Sequence, residues 1–280
     1  MHSQVLGSAA SEGIPAPWCE CPICDEARRR GGKDIRRRTA YCLDDDTLID
    51  FGPDAFAQSI TFGVDWRRMT RLLFTHSHAD HLNAVELSRR RTPRFGLITH
   101  PLKVFASGVV FAELRRTMAQ VAGTTYLEDL LIEPVLLQSG ERWIDRGLEI
   151  MPVRASHGSL GEETFNFILR QGDRTVLIAN DTGWWCDASW DTVRNYRLDL
   201  AIVECTLGFG TEAEKHPGHL DVKGAEAFRD ELVRLNAADK HTVFAVNHFS
   251  HLGGALQDRL EAHFAPRRIV TAYDGIVFDF

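Results

Sequence analysis

Apolar residues along this chain fall into short runs, and several of the runs close on a histidine or a carboxylate. Leu72-Leu73-Phe74-Thr75 leads into His76, the run 148–155 into His157, 175–179 into Asp181, and 242–246 into His248. Short runs rich in Val, Ile, Leu and Phe predict buried strands. The same pattern predicts strands at 5–9, 39–43, 47–51, 97–99, 132–137, 142–144, 164–170, 200–204, 269–271 and 276–278. Asp44-Asp45-Asp46 marks a hairpin turn between 39–43 and 47–51. Helices are predicted over about 80–90, 101–130, 222–235 and 255–264, while positions 10–38, with Gly13, Pro15, Pro17 and Pro22, read as irregular. Strands outnumber helices and alternate with them in blocks, which predicts stacked sheets covered by helices.

The chain has 280 residues, within the roughly 250–300 that one core can serve, so a single domain over 1–280 is expected. Lys+Arg 32 against Asp+Glu 39 gives a net charge of −7, a poor balance for neutralising nucleic-acid phosphates. No apolar run approaches the roughly 20 residues of a membrane span. The start Met1-His2-Ser3-Gln4-Val5-Leu6-Gly7 lacks the basic and apolar regions of a secretory signal, so a cytoplasmic protein is expected. These features point to a small-molecule partner, not to nucleic acid or membrane, and leave a homodimer open.

Thr75-His76-Ser77-His78-Ala79-Asp80-His81 puts four metal-ligating side chains into six residues. His76 and His78, two apart, share one side of an extended segment. Asp80 and His81 fall where strand turns toward helix, which aims them at a second point. The spacing suits two metals side by side, and imidazole with carboxylate suits Zn²⁺, Mn²⁺ or Fe. A histidine-rich surface loop is the bland alternative. It is disfavoured because His157, Asp181 and His248 recur at strand ends, where one sheet edge would gather them.

Cys19, Cys21 and Cys24 form a second constellation. In a reducing compartment such a cluster reads as a metal site. A closed structural zinc site takes four ligands, and no fourth cysteine lies nearby. His251, in His248-Phe249-Ser250-His251, can complete it: in an extended segment, residues three apart face opposite ways, freeing His248 for the other site. A zinc knuckle over about 13–38 is therefore expected. Cys42, Cys186 and Cys205 read as small buried hydrophobes.

The His-x-His-x-Asp-His pattern resembles the hallmark of the metallo-β-lactamase superfamily. Leu48-Ile49-Asp50-Phe51-Gly52 resembles its strand-and-Asp motif, and Asn180-Asp181-Thr182-Gly183 its bridging-carboxylate loop. The resemblance implies an α/β (α+β) fold, a four-layer αββα sandwich. It implies that His76, His78 and His157 hold one divalent ion, that Asp80, His81 and His248 hold another, and that Asp181 bridges them. Two ions, Mn²⁺ or Zn²⁺, would then activate a bridging water as hydroxide.

The cysteine knuckle, the His-x-x-His pair and Tyr273-Asp274-Gly275 further resemble the phosphoribosyl cyclic phosphodiesterases of the carbon–phosphorus lyase pathway. That branch implies hydrolysis of a small, cyclic ribose phosphate ester. It also implies a histidine beside the metals in the loop Lys215-His216-Pro217-Gly218-His219-Leu220-Asp221. His219 is the catalytic candidate there, with Asp80, and His216 is the weaker one. Asp50 is expected to hydrogen-bond the metal loop. A quinone-cofactor accessory protein shares the knuckle and would imply a non-hydrolytic carrier, but its metal motif is typically altered, and here every position is filled. A lactonase or thioesterase on the same metals is the other alternative. The basic run 28–38 reads as a solvated face partly neutralised by Asp25, Glu26 and Asp34, with attraction of a phosphorylated substrate as the alternative. Trp184, Trp185 and Trp190 read equally as pocket wall or core.

Overall fold

Apolar strands lined on both faces need cover on both sides, and the molecule supplies it with a second sheet and with helices. The computed structural model describes residues 1–91, 95–158, 161–210 and 217–280. The first strands are β1 (His2–Gly7), β2 (Ala40–Leu43), β3 (Thr47–Ile49), β4 (Arg71–Leu73), β5 (Leu102–Ala106) and β6 (Ile132–Leu136). Then come β7 (Trp143–Asp145), β8 (Leu148–Arg154), β9 (Phe165–Gln171), β10 (Arg174–Ala179), β11 (Leu200–Glu204), β12 (Val243–Asn247), β13 (Ile269–Thr271) and β14 (Val277–Asp279). They form two sheets, ordered β14-β1-β2-β3-β4-β5-β6 and β13-β12-β11-β10-β9-β8-β7. The helices are α1 (Pro22–Arg30), α2 (Ala55–Phe62), α3 (Ala84–Ser88), α4 (Gly108–Val121), α5 (Asp187–Val193), α6 (Val222–Arg234) and α7 (Gln257–Phe264).

Three apolar layers hold these elements. Val5, Tyr41, Ile49, Leu73 and Phe105 from the first sheet meet Ile150, Phe167, Val176, Ile178 and Ile202 from the second. On the outer face of the first sheet, Leu72 and Val104 pack with Leu87 of α3 and Val110, Leu114 and Met118 of α4. On the outer face of the second, Ile168, Leu177 and Val203 pack with Trp190, Phe228, Leu232, Leu260 and Phe264. The result is the four-layer αββα sandwich.

The structure corrects parts of the sequence reading. Positions 10–38 are not all irregular, because Pro22 opens α1 behind the Cys21 cap. Proline is favoured at a helix start, where its missing N–H costs nothing. The span 101–130 is not one helix: 102–106 is the buried strand β5, and Ser107 caps α4 by accepting from the Val110 amide at 3.2 Å. No strand forms at 97–99, where Leu97 is exposed. The helix expected over 80–90 shrinks to α3, since Phe51 bonds the backbone of His81 and Asn83. The short helices α2 and α5 were not anticipated.

Candidate metal centre

The functional side chains project from one edge shared by both sheets, where the strands end. Asp50 follows β3, residues 74–81 follow β4, His157 follows β8, Asp181 follows β10, Glu204 ends β11 and His248 follows β12. Asp50, Asp181 and His248 have left-handed backbones, with φ of 62°, 45° and 60°. Such a conformation is costly for residues with a Cβ and clusters at functional sites. Beneath them, the Tyr41 hydroxyl accepts from Asn180 at 2.5 Å and Asn247 at 2.7 Å, tying the sheets together.

His76 and His78 do not lie on a strand as the spacing suggested. They sit in the loop after β4, with ring centroids 4.4 Å apart. Asp50 governs that loop: it accepts from the Thr75 amide at 2.9 Å and lies 2.6 Å from His81 Nδ1. This second bond fixes the imidazole and leaves Nε2 for the site. Likewise Nδ1 of His157 lies 3.2 Å from the Gly218 carbonyl, and Nδ1 of His248 lies 2.9 Å from Thr206 Oγ1.

His219 falls in two small groups of donor atoms, with His157 and Asp181 and with Glu204 and His248. The two main groups are His76, His78 and His157, and Asp80, His81, Asp181 and His248; in each group the donor atoms lie within 4.8 Å of one another. Asp181 reaches both. Its Oδ2 is 2.5 Å from His81 Nε2, 3.1 Å from His248 Nε2 and 3.9 Å from His76 Nε2, while Oδ1 is 3.7 Å from His157 Nε2. Yet His76 Nε2, His81 Nε2, His248 Nε2 and Asp181 Oδ2 are buried without a hydrogen bond of proper geometry. A buried polar atom left unpaired costs about 1–3 kcal/mol. Four converging on one point, all imidazole or carboxylate, fit divalent metal ions.

The charges agree. Burial opposes charge on His81, but Asp50, Asp181 and Asp80 outweigh it and raise its pKa well above the ordinary value. Burial likewise opposes charge on Asp181, but His248 and His81 hold its pKa well below the carboxylate range. Burial, reinforced by His81, keeps the His76 pKa well below the ordinary value. A proton on His81 and a cation would therefore compete for the same position.

Glu204 is the residue that sequence reasoning missed. It is fully buried at the end of β11 and accepts from the amides of Thr182 at 2.6 Å, Thr206 at 3.1 Å and Leu220 at 3.1 Å. Its Oε1 also lies 2.9 Å from His219 Nδ1. The signal was available: a carboxylate closing an apolar strand, as at Asp181. His219 stands 3.7 Å from Asp181 Oδ1, with its ring 4.8 Å from that of His157. Burial would lower its pKa, but Glu204, with help from Asp181 and Asp80, pushes it up to about 9. His216 lies outside the described residues.

The second constellation also comes together. Nδ1 of His251 lies 3.5 Å from Cys19 Sγ and 3.3 Å from Cys21 Sγ, and Cys24 completes a group of four donors. The route differs from the extended segment expected. The left-handed turn at His248 and the 3₁₀ turn His251–Gly253 redirect the chain. Burial raises the Cys21 pKa, but the Cys24 amide and His251 outweigh it and bring it down to about 6. A thiolate is the zinc-binding form. Cys21→Ser is expected to release one zinc per chain and to lower Tm, each lost kcal/mol being worth about 2–4 °C at this size. Zinc analysis and calorimetry check this, and an unchanged zinc count and Tm would reject the knuckle.

A cavity of about 590 Å³ opens beside His157. Trp184 and Trp185 line it, and Trp185 is also a core residue, packed like Trp190 on Phe228. Cys186 also lines it and is exposed, not buried as the sequence suggested, because it caps α5 at the rim. Within the basic run, Arg28 pairs with Asp25, and Arg29 and Arg30 pair with Glu26. Arg36 departs from the expected solvated face: it is buried and bonds Ser8, Gln257 and the Ala272 carbonyl. Asp274 serves the same seam, accepting from Ser8 at 2.6 Å and the Arg37 amide at 2.7 Å. Among the described residues, no helix is long and apolar enough to cross a membrane.

A fold of this kind, with such donor groups at its sheet edge, is that of the metal-dependent hydrolases. Residues 46–251 match the family model of the beta-lactamase superfamily domain, and the chain belongs to that superfamily. It is similar in fold to a diphosphatase from the PhnP family, at 24% identity and TM-score 0.70, over 100% of this chain and 97% of that one. It is also similar to zinc-bound PqqB from Methylobacterium extorquens, at 16% identity and TM-score 0.72, over 100% of both chains. Human tRNase Z, short form, aligns at 18% identity and TM-score 0.64, over 100% of this chain and 99% of that one. No curated protein matches the sequence.

Proposed function

We propose that the protein is a binuclear metal-dependent phosphodiesterase acting on a small phosphate ester, such as a cyclic ribose phosphate. The observation that carries this reading is the Glu204–His219 pair, which sets a cationic imidazole 3.7 Å from Asp181, the carboxylate that reaches both donor groups. A fixed cation beside the metals matches the charged oxygens of a phosphodiester and can protonate its alkoxide leaving group, whereas an acyl substrate brings no phosphoryl charge to match it.

His76, His78 and His157 would hold one divalent ion and Asp80, His81 and His248 another, and such ions would supply Lewis-acid charge and acidify water. The chain's own residues do the rest. Asp50 orients His81, and Asp181 spans the two groups. Glu204 engages Nδ1 of His219, which leaves Nε2 as the ring's proton-donating atom. As the oxygen of a water bonds to phosphorus and that water gives up a proton, the bond to the sugar oxygen breaks and His219 Nε2 gives its proton to that departing oxygen, Glu204 having stabilised the imidazolium beforehand. The PhnP-family diphosphatase, whose phosphate-directed activity is part of its name, shares the fold and supports the reading.

The test is a panel of phosphodiesters, cyclic nucleotides, lactones and thioesters, run with Mn²⁺ and with Zn²⁺. Phosphodiester turnover should dominate. Faster turnover of a lactone or thioester would overturn the reading, and a metal-loaded protein that hydrolyses none of them would favour a carrier.

A further inference from the structure

Asp181 and His248 stand just beyond β10 and β12, and both enter the site through left-handed backbone, with φ of 45° and 60°. Such backbone persists where the surroundings fix it from several sides. The residue before each turn is an asparagine, and Asn180 and Asn247 are both fully buried. Alternation along a strand puts Asn180 in the row of Val176 and Ile178, and Asn247 in the row of Ala245, facing the core between the sheets. There both side-chain amides donate to one atom, the hydroxyl oxygen of Tyr41, at 2.5 and 2.7 Å. Tyr41 belongs to β2 of the opposite sheet and is itself fully buried. Since β11 lies between β10 and β12, the hydroxyl spans the end of a strand and ties the two donor-bearing turns to each other.

We propose that Tyr41 is a positioning residue of the metal centre: its hydroxyl sets the separation of Asp181 and His248, and through them the affinity for divalent ions. His248 Nε2 and Asp181 Oδ2 converge to 3.1 Å, yet both are buried without a hydrogen bond of proper geometry. Atoms left in that state are held by the chain around them. Each turn has a tie to the end of β11, through the Thr182 amide to Glu204 and through His248 to Thr206. The Tyr41 hydroxyl adds the tie between the turns and anchors it in the other sheet. Tyr41→Phe keeps the ring in the core but leaves two buried amide groups unpaired, a state that is relieved when the asparagines move. Asp181 and His248, one residue on, move with them. The inference concerns metal binding and holds whichever substrate the centre takes.

The experiment loads the full chain with Co²⁺ and compares the wild type with Tyr41→Phe, Asn247→Ala and Tyr196→Phe. Tyr196 is the control: its buried hydroxyl donates to Glu149 at 2.9 Å, and it belongs to neither donor group. The readouts are Co²⁺ retained against a competing chelator, the visible d–d spectrum of the bound ion, and Tm. Loss of an outer partner of a metal site costs about 10–100-fold in affinity, and Tyr41→Phe should weaken Co²⁺ binding by that order and shift the d–d bands. The thiolate-to-cobalt charge-transfer band of the cysteine knuckle should stay unchanged. Asn247→Ala, which removes one arm of the tie, should show a smaller loss of the same kind, and it decides the question if Tyr41→Phe does not fold. Tyr196→Phe should lower Tm and leave both affinity and spectrum alone. Wild-type affinity and spectrum in Tyr41→Phe, or in Asn247→Ala where that variant decides, would overturn the inference, as would a loss no larger than that of Tyr196→Phe. A substrate panel that favoured lactones would overturn the phosphodiesterase reading and leave this result standing.

Discussion

Asp181→Ala is expected to lower bound divalent metal and to reduce hydrolysis by about 10³-fold or more. The two oxygens of Asp181 face both donor groups, at 2.5 Å from His81 and 3.7 Å from His157. Without it, converging imidazoles lose their shared counter-charge. Charge stabilisation at metal sites is worth several kcal/mol, and at 1.36 kcal/mol per tenfold this gives about 10³-fold. The backbone adds a second effect. Residue 181 has φ of 45°, a conformation that alanine enters at a cost of roughly 1–2 kcal/mol. Asp181→Asn separates the two effects, since asparagine tolerates left-handed backbone and keeps the shape while removing the charge. Both variants should lose metal and activity, measured by elemental analysis and initial rates, while circular dichroism shows the fold retained. Full activity in either variant would refute the bridging role.

How much of this centre was legible depends on where the information lies. Donors that close apolar strands, such as Asp181 and His248, announce themselves because strand patterning is local and the polar residue interrupts it. The cluster from His76 to His81 was legible by spacing, although its loop does not follow the strand geometry that the spacing suggested. Glu204 closes β11 in the same manner, so its position was legible, but the groups it engages were not. Its role becomes visible only when three loops deliver the amides of residues 182, 206 and 220 to it. In the fold, the long strands and α6 were readable from periodicity. The strand β5 was not, because its apolar run merges with that of α4 and only the Ser107 cap divides them.

His219→Ala is expected to cost about 10²–10⁴-fold in kcat/KM on an alkyl or cyclic phosphodiester, the usual worth of general acid catalysis. Metal content should not change, because neither of the two main donor groups includes the ring, and Glu204 keeps its three amide donors when the imidazole is removed. The loop should therefore hold its place, and the loss can be assigned to chemistry. The decisive comparison is with bis-p-nitrophenyl phosphate. Its aryl leaving group departs as a stable anion and needs no proton, so the penalty for losing His219 should shrink there. If His219 instead only binds the charged phosphate, the loss should be equal on both substrates and appear in KM. If it is merely a loop residue packed on Glu204, neither substrate should respond. Of these three outcomes, only a loss concentrated in kcat on the poor leaving group supports a proton delivered by His219 Nε2 to the departing oxygen.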